Sequence, residues 1–441
     1  MATKSSTAQQ AQLKIEQRKL TDLKPRKTNA RTHSSSQIKQ IASSIQEFGF
    51  TNPILIDEAG AILAGHGRLE AAQLLGLTLV PTVRIEHMTE VQKRAYVIAD
   101  NQLALNAGWD EAILAVEMQD LCDLEFDVST IGFEGGEIDR LLGTLDLSGE
   151  KNDGGIPCPT SGTAITKPGD TWLIGSHRLI CADALRAESY DALLNGKRAD
   201  LVFTDPPYNV RIEGNVSGLG KSKHSEFAMA SGEMNSSEFK AFLRSVFVEL
   251  GRTSRNGAIH YVCMDWRHMA EVLAASEGIY AEFKNLCVWT KSNGGMGSLY
   301  RSQHELVFVF KSGTKPHTNN VSLGKHGRNR TNVWSYAGAN SFGLTRENDL
   351  AMHPTVKPLD MVKDAILDCS NRGDVVLDAF AGSGTTLIAA HQTGRVGYGI
   401  EIDPAFCDVV LKRFKAAGVE AKLQRTEETF ASLTKEAAND R

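Results

Sequence analysis

The chain has 441 residues, of which 41% are hydrophobic and 23% charged, with a formal net charge of −5. This length calls for two or three domains, and the composition is that of an ordinary globular protein rather than a fibrous or disordered one. The acidic balance excludes a uniformly basic nucleic-acid coat, though not a local basic face.

No apolar run reaches membrane-span length, and the N-terminus has no hydrophobic core like that of a signal peptide. Seven scattered cysteines without a CxxC pair argue against a disulfide framework or a zinc site. The expectation is a cytoplasmic protein with no membrane partner and no metal.

Residues 1–18 are polar and are expected to be disordered. A small α/β pattern fills 19–87. SSSQIKQIASSIQEFGF carries a serine start, helical apolar spacing and a glycine stop. NPILIDEAGAILAGHGR reads as two short strands around a turn, followed by a helix, LEAAQLLGL, and a strand, LVPTVRI. Residues 88–150 read as helical, and Asp110 to Glu150 holds twelve acids against one arginine, as a solvated acidic connector would. Residues 151–168, rich in Gly, Pro, Ser and Thr, form the expected linker.

From 169 to 430, strand-like runs (TWLIG, RLICAD, DLVFT, AIHYVCM, NLCVWT, ELVFVF, DVVLDAF, VGYGIEI) alternate with helical ones. Continuous apolar strands fit a sheet buried on both faces, so the fold class is α/β with a doubly wound, Rossmann-like sheet.

Two stretches of this domain carry chemistry. GDVVLDAFAGSGTTLIAAHQTG is a strand, a turn with Gly382 and Gly384, and a helix. The glycines admit close backbone approach, and the helix start offers free N–H groups. Glu401 ends the next strand, where an acid can accept ribose hydroxyls. No Walker lysine follows, and Thr385 and Thr386 at the helix start suit a carboxylate better than a triphosphate. A nucleoside bearing an amino-acid tail therefore fits.

In FTDPPYNV, prolines stop a strand and make a stiff turn that holds Asp205 and Tyr208 at its end.

DPPY at 205–208 and FAGSG at 380–384 together resemble the amino-group DNA methyltransferases that use S-adenosylmethionine. The target-site motif precedes the cofactor motif, as in the permuted beta class. VWTKSN, RSQHELVFVFKSG, NVWSY and MHPTVKP follow in the family's order.

The resemblance implies that Phe380 stacks on the cofactor adenine while Gly382 and Gly384 let the methionine part pass. It places Thr385, Thr355 and Lys357 on the methionine carboxylate, Glu401 on the ribose and Asp183 near the adenine. A surface lysine beside a proline turn is the alternative for Lys357. His304 and Glu305 stay outside the catalytic set, as strand hydrogen-bonders or otherwise.

At the turn, the Asp205 carboxylate and the Pro206 carbonyl, stiffened by Pro207, can accept both N–H bonds of a base amine. Tyr208 would cover the flipped base in double-stranded DNA. An acidic first residue favours adenine N6; cytosine N4 is the alternative, as is a non-enzymatic DNA-binding protein with an inactive catalytic domain. A protein-glutamine methyltransferase would have asparagine first and the opposite motif order.

Lys311 to Arg346 holds six Lys/Arg and no acid, so 311–346 is the expected target-recognition segment, with Lys325, Arg328, Arg330 and Arg346 on DNA. Residues 209–227 are a second candidate, as a closing loop. The first domain resembles the ParB/sulfiredoxin-like fold. AGHGR at 64–68 takes the place of its charged box, which admits a nucleotide or DNA at His66 and Arg68, or a purely structural turn. A homodimer and a restriction-modification context are both open. The source expected is a bacterial nucleoid or a phage.

Overall fold

The computed structural model describes residues 13–26, 28–124, 126–145, 164–209, 232–291, 294, 299–324, 327–337 and 357–439. The chain divides into two compact units, Met1–Ser148 and Gly149–Arg441.

The first unit holds a four-stranded sheet in the order β1-β4-β2-β3. Its strands are β1 (Ile15–Lys19), β2 (Ile54–Ile56), β3 (Ile62–Ala64) and β4 (Leu79–Arg84). Helix α1 (Ser35–Phe48) starts where the Ser34 side chain accepts the Gln37 N–H, and α2 (His66–Leu74) follows β3 directly. Residues 1–12 lie outside the described residues, but β1 corrects the expectation of disorder for residues 15–18. Its polar sequence IEQRK pairs antiparallel with β4 at the sheet edge, where ladder hydrogen bonds and not burial hold it.

After α3 (Glu90–Leu105), α4 (Glu111–Asp123) and α5 (Gly135–Leu145) pack around their own core of Ala115, Met118, Val128, Ile138, Leu141 and Leu142. The segment expected to be a solvated connector therefore folds as a small helical module with an inside.

The second unit is built on a ten-stranded sheet. In chain order its elements are β5 (Thr171–Ile174), β6 (His177–Cys181), α6 (Ala187–Leu194), β7 (Ala199–Thr204), α7 (Ser236–Thr253), β8 (Ser254–Met264), α8 (Met269–Ser276), β9 (Glu282–Thr290), β10 (His304–Lys311) and β11 (Val333–Ser335). Then come α9 (Leu359–Cys369), β12 (Val375–Asp378), α10 (Thr385–Gln392), β13 (Val396–Glu401), α11 (Pro404–Ala416), β14 (Ala421–Leu423) and α12 (Phe430–Asn439).

Spatial order is β11-β9-β10-β8-β7-β12-β13-β6-β5-β14. The central run from β8 to β6 is parallel, while β10 lies antiparallel to β8 and β5 antiparallel to β6.

Alternate residues feed two cores, as the period of a strand requires. Val202 and Leu377 point into the layer of α6, α7 and α8, whereas Leu201, Phe203 and Val376 point toward α9 and α10. The continuous apolar strands thus mark a sheet covered on both faces.

Register brings the site together. β7 pairs with β12 through Leu201–Val376 and Val202–Leu377, so the turn after β7 and the loop after β12 leave the sheet side by side. Because β10 is antiparallel, with Leu306 opposite Met264, its first residues lie at the carboxyl end of β8. The end of β9 joins them, with Thr290 opposite His304. Ligands of open α/β sheets bind at such carboxyl ends.

Candidate active site

Asp205 follows β7 directly, and both of its oxygens have partners. Lys357 donates to Oδ2 at 2.5 Å and the Tyr208 hydroxyl donates to Oδ1 at 2.7 Å. The same hydroxyl lies 3.0 Å from Glu305 Oε2, and Lys357 Nζ is 3.2 Å from that oxygen. Lys291 binds Glu305 Oε1. One ammonium and two carboxylates thus meet at one phenol, with Lys291 behind Glu305; they come from β10, the turn after β7, the segment before α9 and the residue after β9.

Burial raises the Asp205 carboxyl above its ordinary range, with Lys357 pulling the other way and the Glu305 charge adding to the rise. Burial also acts to raise Glu305, but Lys357 and Lys291 outweigh it and bring that carboxyl to about 2. Burial works against the Lys357 charge, and the two carboxylates overcome it, raising the lysine. Its ammonium lies 5.3 Å from the Tyr208 ring centre and 6.0 Å from that of Trp289.

The position of Lys357 corrects the sequence expectation. It stands on Asp205 and Glu305, as two buried acids would otherwise face each other uncompensated; it was expected on the methionine carboxylate. Lys291 goes unread in the sequence, and Glu305 stands there only outside the catalytic set. Their one sequence signal is an acid heading the apolar strand HELVFVF and a lysine just after VWT, which says nothing about which partners they meet.

Beside this corner, Asp378 ends β12. It accepts hydrogen bonds from Thr204 Oγ1 at 3.0 Å, Thr386 Oγ1 at 2.7 Å and the Phe380 N–H at 3.0 Å. Burial raises it to about 6 despite those bonds. The Thr204 bond ties the strand that carries Asp205 to the loop that carries the glycines.

In that loop Gly382 and Gly384 have φ of 51° and 81°. A Cβ on Gly384 would come within 2.8 Å of Val410, so only glycine lets the loop sit against α11. Gly382 N–H donates to Glu401 Oε2 at 2.7 Å and Asp403 N–H to Oε1 at 2.8 Å. Burial raises Glu401 to about 7, with the two amides partly offsetting it. Phe380 is half-buried, its ring 6.0 Å from that of Phe242. Asp183, just beyond β6, accepts the Leu185 N–H at 2.9 Å, and the neighbouring Ala182 N–H bonds the Glu401 carbonyl, so the two acids lie close along the sheet end.

Thr385 is buried, and its hydroxyl accepts from Arg413 at 3.4 Å. The side chain expected to hold a carboxylate is turned into the loop's own support. Thr355 lies outside the described residues. The first turn of α10 has no side-chain cap. A half-buried aromatic ring, a glycine cradle, a helix start without a side-chain cap and a buried acid at the end of β13 fit a nucleoside with an amino-acid tail by their chemistry.

Arg328 and Arg330, expected on DNA, are committed elsewhere. Arg328 donates to Asp368 Oδ1 at 2.6 Å and Arg330 to Asp368 Oδ2 at 3.1 Å, and both reach Asp364. Arg330 also donates to the Tyr336 hydroxyl at 2.7 Å. These guanidinium groups fasten their segment to α9 and present no free fork to phosphate. Lys325, Arg346 and nearly all of 209–227 lie outside the described residues. Among the described residues, no cluster of His, Cys, Asp and Glu could hold a metal, and no helix is long and apolar enough to cross a membrane.

In the first unit Gly65 takes a left-handed conformation (φ 103°) before α2, and no side chain caps the helix. Arg68 folds back over Gly65, where burial lowers its pKa; burial likewise lowers that of His66, whose Nε2 accepts the Arg26 N–H at 3.3 Å.

Comparison with known proteins assigns families to three stretches of the chain. Residues 199–412 match the DNA methylase family model, 2–102 the ParB N-terminal domain and 112–168 the ParB-methyltransferase HTH domain. The last match replaces the acidic connector and takes in the expected linker.

The ParB-like nuclease domain-containing protein YnaK of Escherichia coli K12 is 50% identical over 82 residues, covering 19% of this chain and 94% of that protein. Type II methyltransferase M.HpaI of Haemophilus parainfluenzae is 27% identical over 252 residues (54% of this chain, 73% of that one). DNA adenine methyltransferase YhdJ of Escherichia coli K12 is 28% identical over 243 residues (49% and 76%). The chain therefore belongs to the ParB-like family through its first unit, and its second unit carries a DNA methylase domain of the N6/N4 family, whose methyl donor is S-adenosylmethionine.

Proposed function

We propose that this protein is a site-specific, beta-class methyltransferase that methylates adenine N6 in double-stranded DNA. The observation that carries the reading is the pairing of β7 with β12, which sets the Asp205 turn beside the glycine loop. A base amine at the turn and a methyl donor at the loop would then meet with no further element between them. The order of the two motifs along the chain supports the beta class. The acidic first residue of DPPY supports adenine, as does the likeness to YhdJ, a DNA adenine methyltransferase.

An exocyclic amine is a weak nucleophile because its lone pair is delocalised into the ring. Asp205 and the Pro206 carbonyl accept its two N–H bonds, favour pyramidal nitrogen and direct the lone pair at the methyl carbon. Extruding the base costs a few kcal/mol, and stacking against an aromatic ring returns about 1–3 kcal/mol. Phe380, Asp183 and Glu401 hold the nucleoside end of the donor, and Gly382 and Gly384 let its methionine part pass. Thr355, with the uncapped start of α10 behind Thr385, meets its carboxylate. Lys325 and Arg346 serve DNA. The ParB-like unit acts as an accessory nucleotide- or DNA-binding module at His66 and Arg68, and the protein works in the cytoplasm.

Purified protein incubated with tritiated S-adenosylmethionine and unmethylated genomic DNA should place label in N6-methyladenine on nucleoside analysis. Label in N4-methylcytosine reassigns the base. No label in any DNA leaves a DNA-binding protein without transfer activity and ends this reading.

A further inference from the structure

We propose that Glu305 is a positioning residue for methyl transfer: it divides Lys357 between two carboxylates, so that Asp205 keeps the basicity needed to take the proton the amine sheds. This rests on the reading of Asp205 as the acceptor at the reacting amine.

The contacts make the case. Each group that reaches Asp205 also reaches Glu305. Lys357 Nζ is 2.5 Å from Asp205 Oδ2 and 3.2 Å from Glu305 Oε2. The Tyr208 hydroxyl has a single proton and two acceptors, Asp205 Oδ1 at 2.7 Å and Glu305 Oε2 at 3.0 Å. Lys291, at the end of β9, takes the remaining Glu305 oxygen. Cys263 on β8 and Asp378 at the end of β12 complete the titratable groups around Asp205 among the described residues.

In the transfer, the amine lone pair forms the N–C bond to the methyl carbon. The C–S bond breaks with its electron pair left on sulfur, and the positive charge passes to nitrogen. One N–H proton then moves to an Asp205 oxygen and later to solvent, leaving a neutral methylamino base. A carboxylate locked in a private pair with lysine is a poor acceptor for that proton. A second carboxylate on the same ammonium loosens the pair, and the two lysines keep Glu305 ionised, so the proton stops at Asp205.

The test follows single-turnover transfer of tritiated methyl into unmethylated genomic DNA as a function of pH, for wild type, Glu305→Gln and Lys291→Met. Calorimetric binding of S-adenosylmethionine and thermal melting accompany it. Asp205 must be ionised to accept, so the rate falls on the acid side. Glu305→Gln gives Lys357 wholly to Asp205, which moves the acid limb to lower pH and lowers the plateau roughly 10²-fold, with donor binding kept. Lys291→Met leaves Glu305 to draw Lys357 away, which moves the limb to higher pH.

A merely structural role would lower rate and melting temperature together and leave the limb in place. An unmoved limb, or shifts in the same direction, overturns the role. If Glu305→Gln does not fold, Lys291→Met decides alone, because that side chain is 31% exposed. A wild type that transfers no methyl to DNA overturns the proposed function and this role with it. An active wild type whose variants keep its pH profile overturns only this role.

Discussion

Two corners of the second unit have nearly the same ingredients and opposite characters. One gathers Lys357, Lys291, Asp205, Glu305 and Tyr208 at the carboxyl end of the sheet; the other gathers Arg328, Arg330, Asp364, Asp368 and Tyr336 against α9. Each has two cations, two acids and a phenol that bonds an acid.

In the arginine corner the planar forks saturate the acids: Asp368 takes both arginines, one on each oxygen, and Asp364 accepts Arg328, Arg330 and Tyr336. In the lysine corner, ammonium groups act as point charges with no fork to impose a plane. Asp205 there is held by one ammonium and one phenol and is raised by burial. A forked cluster fastens; on the proposed function, a lysine-held one exchanges partners with a substrate.

The largest expected effect breaks the lysine corner. Asp205→Ala should lower methyl transfer by about 10²–10³-fold or more, the scale of losing a group aimed at developing charge. Donor binding measured by calorimetry should be nearly kept. A variant that transfers methyl at the wild-type rate would remove Asp205 from the reaction.

Breaking the arginine corner should do the reverse. Asp368→Ala strands two guanidinium groups beside one remaining acid, and removing one partner of a buried pair typically costs about 3–5 kcal/mol. Urea unfolding should register that loss, while turnover per folded molecule stays near wild type. A stable variant with weakened DNA binding would return these arginines to the DNA interface expected from the sequence.

What the sequence reveals follows how local each cause is. The strands from β5 to β10, β12 and β13 are legible because a sheet covered on both faces demands unbroken apolar runs. β1, β11 and β14 are not: IEQRK is charged and holds by backbone pairing, while VWS and AKL are three residues each, too short to show a period although Trp334, Ala421 and Leu423 are buried. The DPPY turn and the glycine loop announce themselves because proline and glycine write backbone geometry into the sequence.

The partners of Lys357 are illegible, since Asp205 and Glu305 come from distant strands. The acid partners of Arg328 and Arg330 are illegible for a related reason. A count of charge within 311–346 cannot see Asp364 and Asp368, which lie beyond it on α9 and pair with these two arginines.

Glu401 provides an intermediate case, a buried acid held by two backbone amides and no cation. Its folded-state value of about 7 lies above the ordinary 4.5 of a glutamate, so between these values the folded chain binds more protons than the unfolded one. The stability it contributes is present below pH ~4.5 and is lost as pH rises through ~7, at about 1.4 kcal/mol per unit and ~3 kcal/mol in all. Wild type compared with Glu401→Gln in urea should show that advantage shrinking across the window. A flat difference would mean that the amides alone already hold the carboxylate ionised.

The smallest effect sharpens the comparison most. Arg330→Lys preserves the charge but loses the fork that joins Asp364, Asp368 and Tyr336, so it should cost about 1–2 kcal/mol, the order of one or two charged hydrogen bonds. Lys357→Arg makes the opposite exchange: a planar fork could grip both Asp205 oxygens and hold them from a substrate amine. Its melting temperature should stay level or rise while methyl transfer falls at least tenfold. If Lys357→Arg stays fully active, the choice of lysine there reflects packing alone, and the contrast between a fastening corner and an exchanging one loses its basis.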